Sequence, residues 1–240
     1  MEAVFNKLDC GQIDRIVTSP LDLTTTFGRW MVTNEEVSQL TKAYPDYLWG
    51  FSSVDPHRPD AIEALENAFS EQGLSGLYLF PSLQQFYPNE PCMEAIYEAC
   101  VRYDKPILFD AGCSSYPNLL SKYGYPLLFE EVALKYKTLR ICLARFGWPW
   151  IREVCMLMMK YHNVYTDTSI VYMDDARQMY HQMFQVDMGP KWIDHSFRHQ
   201  VMFGSGDPGL EQIRQVNALR GMNFRETTIE NILCNNAMEF

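Results

Sequence analysis

Seven short apolar runs, each ending in a turn and followed by helical periodicity, restrict the fold of this chain more than any other feature. They cover residues 14–18, 48–53, 76–80, 107–110, 140–144, 163–167 and 201–203. Strands that alternate with helices imply a parallel sheet, because a parallel neighbour is reached only over a crossover long enough to hold a helix. The helical signals are local. Thr33-Asn-Glu-Glu36 is a capping box opening a helix to about Tyr44. Ile62, Leu65 and Phe69 share one helical face that Gly73 can end. Met93, Ile96, Tyr97, Cys100 and Val101 form the next stripe, and residues 127–135 another. A further helix has Pro149 near its first turn, an insert spans about 174–198, and two helices close the chain.

At 240 residues with 47% hydrophobic content, the chain fits a single α/β barrel domain over residues 1–240. Seven strands are legible where a closed barrel wants eight. A formal charge of −10 argues against nucleic acid or an anionic membrane as partner. No apolar run approaches the roughly 18 residues of a membrane span, and no signal peptide is visible. Seven cysteines without a CxxC read as reduced thiols, which implies the cytoplasm.

Nine segments carry a resemblance, in order from about residue 8 to the end. They are Ser53-Val-Asp-Pro56, Gly76-Leu-Tyr-Leu-Phe-Pro81, Phe86-Tyr-Pro-Asn89, Lys105-Pro-Ile-Leu-Phe109, Tyr125-Pro-Leu-Leu128, Gly147-Trp-Pro-Trp150, Asn163-Val-Tyr-Thr-Asp-Thr-Ser169, Phe203-Gly-Ser205 and Asn236-Ala237. The chain resembles the amidohydrolase-related (amidohydrolase 2) family of metal-dependent TIM-barrel hydrolases and decarboxylases. The resemblance implies a TIM-barrel-like fold, incomplete, with seven recognisable strands. It also implies ligands that are not here. Such barrels begin with a strand carrying a His-x-His pair, and no such strand precedes residues 2–8. Two strand-end His positions of the family hold Asp110 and Arg145. The family's Gly-Ser-Asp is Gly204-Ser-Gly206 with an acid displaced to Asp207, and a Lys common in the family is Tyr78.

Barrel strands place catalytic groups at their C-terminal ends, so the candidate catalytic residues are Asp110, Arg145 and Asp207. Arg has no lone pair to give a metal but pairs well with a carboxylate. A buried pair that merely plugs the old site is the bland alternative to a remodelled pocket. No metal and no cofactor are expected. Tyr78, Phe80, Cys113 and Trp148 are the candidate substrate-binding residues, with Phe86 and Tyr87 as further pocket aromatics. His195 and His199, spaced i and i+4, lack a third ligand and read as a solvated helix face.

Two functions compete. One is a barrel with a degenerate metal site that binds a small molecule, regulates a partner or uses metal-free chemistry. The other is a working hydrolase or decarboxylase on a small carboxylated or cyclic substrate. If the first strand is absent, the two strands flanking the gap pair into a seven-stranded barrel, or residues 2–8 or a second subunit cover the opening; a plug by helix or subunit is favoured by Val4, Phe5 and Leu8. A homo-oligomer, a dimer, is therefore expected.

Overall fold

A computed structural model describes residues 13–114, 116–169, 175–206 and 211–240. Asp207 and residues 2–8 fall outside this set. The main sheet has seven parallel strands: β1 (Ile16–Thr18), β4 (Leu48–Ser52), β5 (Gly76–Leu79), β6 (Ile107–Phe109), β7 (Ile141–Leu143), β8 (Val164–Asp167) and β9 (Val201–Met202), paired in that order. All seven coincide with the apolar runs of the sequence. Among the described residues no pairing joins β1 to β9, so the sheet ends on two edges rather than closing.

Helices fill the crossovers: α1 (Asn34–Ala43), α2 (Ala61–Ser70), α3 (Cys92–Arg102), α4 (Glu130–Lys135), α5 (Ile151–Lys160) and α6 (Ala176–His181), with α7 (Gln212–Arg220) and α8 (Glu226–Glu230) after β9. The capping box forms as read. Thr33 N donates to Glu36 Oε2 at 2.9 Å, and Glu36 N donates to Thr33 Oγ1 at 3.2 Å. Satisfying both orphan donors fixes where α1 begins.

Three details were beyond the reach of the sequence. Between β1 and α1, Asp22–Leu23 (β2) and Arg29–Trp30 (β3) form an antiparallel hairpin. Between them lies the single helical turn Thr24–Phe27, ended by Gly28 in the left-handed region. The helical insert at about 174–198 is built of several segments. Widened turns at Gln182–Asp187 and Ile193–Phe197 follow α6, interrupted around Gly189-Pro190, where proline cannot continue the hydrogen-bond ladder. Pro149 precedes α5, which starts at Ile151.

The strand pairings sort the side chains into two faces, since successive residues alternate. Leu77, Leu79, Ile107, Phe109, Ile141 and Leu143 are fully buried against helices; Phe109 packs edge-on to Phe129 and Tyr97. The alternate row of Val17, Trp49, Tyr78, Leu108, Cys142 and Tyr165 faces away from the helices. It is only partly covered: Val17 is 46% exposed, and of the row only Cys142 is fully buried.

Candidate functional site

Leu79, Phe109, Leu143 and Thr166 are level across four adjacent strands. One residue further, at the C-terminal ends and on the inner face, come Asp110, Ala144 and Asp167. The turn after β7 then reverses sharply. Arg145 and Phe146 both adopt left-handed backbone conformations (φ 61° and 51°), which cost of order 1–3 kcal/mol each in non-glycine residues. Two side chains of β8 hold that turn. Asp167 Oδ1 accepts from Arg145 N at 2.9 Å, and Thr166 Oγ1 accepts from Phe146 N at 3.0 Å.

The strained turn aims Arg145 back across the strand ends. Its Nη2 donates to an Asp110 carboxylate oxygen and, at 2.8 Å, to the Ala111 carbonyl. The two side chains are 9% and 14% exposed, so the pair is largely dry. Arg145 Nε is buried and makes no hydrogen bond. Tyr78 OH donates weakly to the other Asp110 oxygen at 3.4 Å. Burial pushes the Asp110 carboxyl up to about 6, against the opposing pull of Arg145 and with help from the negative Asp167. Burial, and then the charge of Asp110, hold the Tyr78 phenol well above its ordinary range. Asp110 therefore changes charge near neutral pH beside a phenol that stays protonated.

A cleft of about 230 Å³ borders this group, lined by Ser19, Pro20, Leu21, Met31, Val32, Tyr78, Phe80, Leu83 and Tyr116. Tyr78 and Phe80 thus share one cleft. Cys113 and Trp148 do not line it; Cys113 N donates to the Trp148 carbonyl at 2.7 Å, and the Trp148 ring packs against the main core. Gly112 lets these two loops meet, since a Cβ there would fall 2.5 Å from the Trp148 oxygen. Phe86 is fully buried in the main core rather than lining a pocket, and Tyr87 stacks on Tyr123. His199 accepts from Arg198 and faces Asn231, away from His195. A larger hollow of about 570 Å³, between α6 and the end of α7, lies apart from the strand ends.

Asp167 was not singled out in the sequence, although its place ending Val164-Tyr-Thr-Asp167 matches that of Asp110 ending its own run. A buried cluster after β4 was also missed. Asp22 and Asp55 are fully buried; Asp22 accepts from Asp55 N (3.0 Å) and Arg58 Nη1 (2.9 Å), and Asp55 accepts from Thr25 N (2.9 Å). The Asp55 N–Asp22 and Thr25 N–Asp55 bonds tie the β2–β3 hairpin to the loop after β4, a structural task.

The amidohydrolase family profile matches residues 18–240. The chain belongs to that family. No curated protein sequence matches it significantly. Among solved structures, an uncharacterised TIM-barrel protein from Bordetella bronchiseptica superposes with a TM-score of 0.83 at 18% identity, over 100% of this chain and 81% of that one. The 5-carboxyvanillate decarboxylase of Sphingomonas paucimobilis gives 0.70 at 16% identity, over 98% and 81%. A 2,6-dihydroxybenzoate decarboxylase from Rhizobium gives 0.72 at 13%, over 100% and 87%. At these identities the likeness establishes the barrel fold. Among the described residues at its strand ends this amidohydrolase-family chain sets the Arg145 guanidinium against Asp110 and the Arg145 backbone N against Asp167.

Proposed function

We propose that this chain is an amidohydrolase-family barrel whose strand ends work without a metal, binding a small carboxylated molecule or serving a partner subunit. The observation that carries this reading is the Arg145–Asp110 pair. A guanidinium cannot ligate a metal, and its positive charge supplies what an ion would supply to the carboxylate beside it. The unbonded Arg145 Nε argues against a mere plug, because a buried donor left unmet costs about 1–3 kcal/mol. An acceptor on a ligand would relieve that cost. The mostly apolar cleft bordered by Tyr78 and Phe80 suits the body of such a ligand. Asp110, titrating near 6, and Tyr78 are the groups able to move a proton if chemistry follows.

The test is anomalous diffraction from crystals grown with Mn²⁺ or Zn²⁺. We expect no peak within coordination distance of Asp110 or Asp167. A peak there, with the Arg145 side chain swung away, would overturn the reading in favour of a metal-dependent hydrolase or decarboxylase.

The proposal includes a homodimer that covers the open side of the sheet beside β1. Its support is that among the described residues β1 pairs only with β4, and that Val17 on it is exposed.

A further inference from the structure

Two proline-bounded loops on the strand-end side of the sheet meet at the surface. Asp55-Pro-His57-Arg-Pro59 follows β4, and Pro88-Asn-Glu-Pro91-Cys92 leads into α3. They bring together His57, Glu90 and Cys92. His57 Nε2 lies 3.5 Å from Glu90 Oε2, and Cys92 Sγ lies 3.8 Å from the same oxygen. One donor atom from each of the three falls within 4.8 Å of the others, and no other such group of three occurs among the described residues. We propose that His57, Glu90 and Cys92 form a binding site for a divalent cation of the zinc class, separate from the Asp110–Arg145 pair.

The spacing carries the argument. Tetrahedral zinc with bonds of ~2.0–2.1 Å to nitrogen and oxygen and ~2.3 Å to sulfur sets its ligands ~3.3 Å (N to O) and ~3.5 Å (S to O) apart. The His57–Glu90 and Cys92–Glu90 separations exceed these by only a few tenths of an ångström, and the His57 and Cys92 donors lie within 4.8 Å of each other. Both loops are also held in place. Arg58 N donates to the Asp55 carbonyl at 3.1 Å, Glu90 N to the Tyr87 carbonyl at 3.0 Å, and Met93 N to the Glu90 carbonyl at 3.0 Å.

The surroundings agree. His57 Nδ1 faces Asp55 Oδ1 at 3.7 Å, on the side of the ring opposite Glu90. Asp55 is fully buried and anchored by Thr25 N and Oγ1. A carboxylate behind one ring nitrogen, with the other aimed at the ligand cluster, is the arrangement that orients metal-bound histidines. The neighbouring Arg58 is engaged by Asp22 and Asp60, so its charge is met elsewhere. A thiolate with an imidazole selects zinc-like ions over Ca²⁺ and Mg²⁺, which prefer all-oxygen shells. The side chains of His57 and Glu90 are 38% and 31% exposed, which leaves a fourth position open to water.

Co²⁺ titration of the full chain, followed by absorption, tests this directly, because a thiolate bound to cobalt adds a charge-transfer band in the near ultraviolet. We expect one equivalent to produce the band and Zn²⁺, but not Mg²⁺, to abolish it. Cys92→Ser should remove it, while Cys234→Ser, at the other described exposed cysteine, should keep it. His57→Ala and Glu90→Gln should each weaken binding at least ~10-fold, with circular dichroism unchanged. Asp110→Asn should leave the band intact, which separates this site from the strand ends. No band in the unaltered chain, or a band that survives Cys92→Ser, overturns the proposal.

Discussion

The two faces of the same sheet are built to different standards. On the helix side, Leu77, Leu79, Ile107, Phe109, Ile141 and Leu143 are wholly buried and meet aromatic partners from the crossovers. On the inner side, the alternate residues of the same strands are half-covered by isolated devices. Arg15 lies over the Trp49 ring at 5.0 Å, Phe240 meets Tyr165 edge-on at 5.1 Å, and the Arg145–Asp110 pair caps the strand ends. In a closed barrel, layers of bulky side chains fill that interior. Here the helix side carries stability, and the inner side is free to carry charge, strain and a cleft.

The largest expected effect breaks this comparison if it is wrong. Phe109→Ala on the helix side should lower unfolding free energy by about 3–5 kcal/mol, and Leu108→Ala on the inner side by less than half as much. Equal losses in denaturant titration would mean that the inner face is packed as a core.

The second expectation concerns the charges placed on that inner face. Arg145→Met alone should cost about 1–2 kcal/mol at pH 7, limited by protonation of Asp110 once its counter-charge is gone, whereas Arg145→Met with Asp110→Asn should cost less. A double-mutant cycle without coupling removes the pair from the account.

A third effect depends on pH. Asp110 sits at about 6 in the folded chain, above its unfolded value near 3.8, so the fold binds its proton more tightly than the unfolded chain does. The sign is opposite to that of a salt-bridged carboxylate held low. Asp110 costs nothing below about pH 4, and stability is lost progressively as pH rises to about 6. The loss is then about 3 kcal/mol at most. Comparing stability from pH 4 to 7 in the natural chain and in Asp110→Asn isolates it; identical pH profiles would falsify the assignment.

Sequence legibility follows the same division. The helix-side strands were readable because full burial demands unbroken apolar runs, and all seven runs became strands. Asp110 and Arg145 were readable as strand-end residues, and their pairing followed from charge. What depends on loops meeting across space was not. Phe86 looked like a pocket residue because it lies in a loop after β5, yet the loop folds it into the core. The β2–β3 strands, two residues each, are too short to show alternation. His57 and Cys92 stand 35 positions apart in chain numbering, and only the two loop paths bring them together.

The smallest expected effect concerns the edge where the inner face opens. Among the described residues β1 pairs only with β4, and Val17 on it is 46% exposed. Met31 and Val32, which line the cleft with Ser19, Pro20 and Leu21, are exposed as well. An apolar edge of this kind invites pairing with a second chain, and a lysine on it is the usual natural deterrent. If a dimer covers this side, Val17→Lys should weaken it by about tenfold, or about 1.4 kcal/mol, without changing the stability of the monomer. Light scattering at micromolar concentration reads both species. A natural chain that is already monomeric, or a dimer indifferent to Val17→Lys, would show that the inner face is left open to solvent rather than shared between subunits.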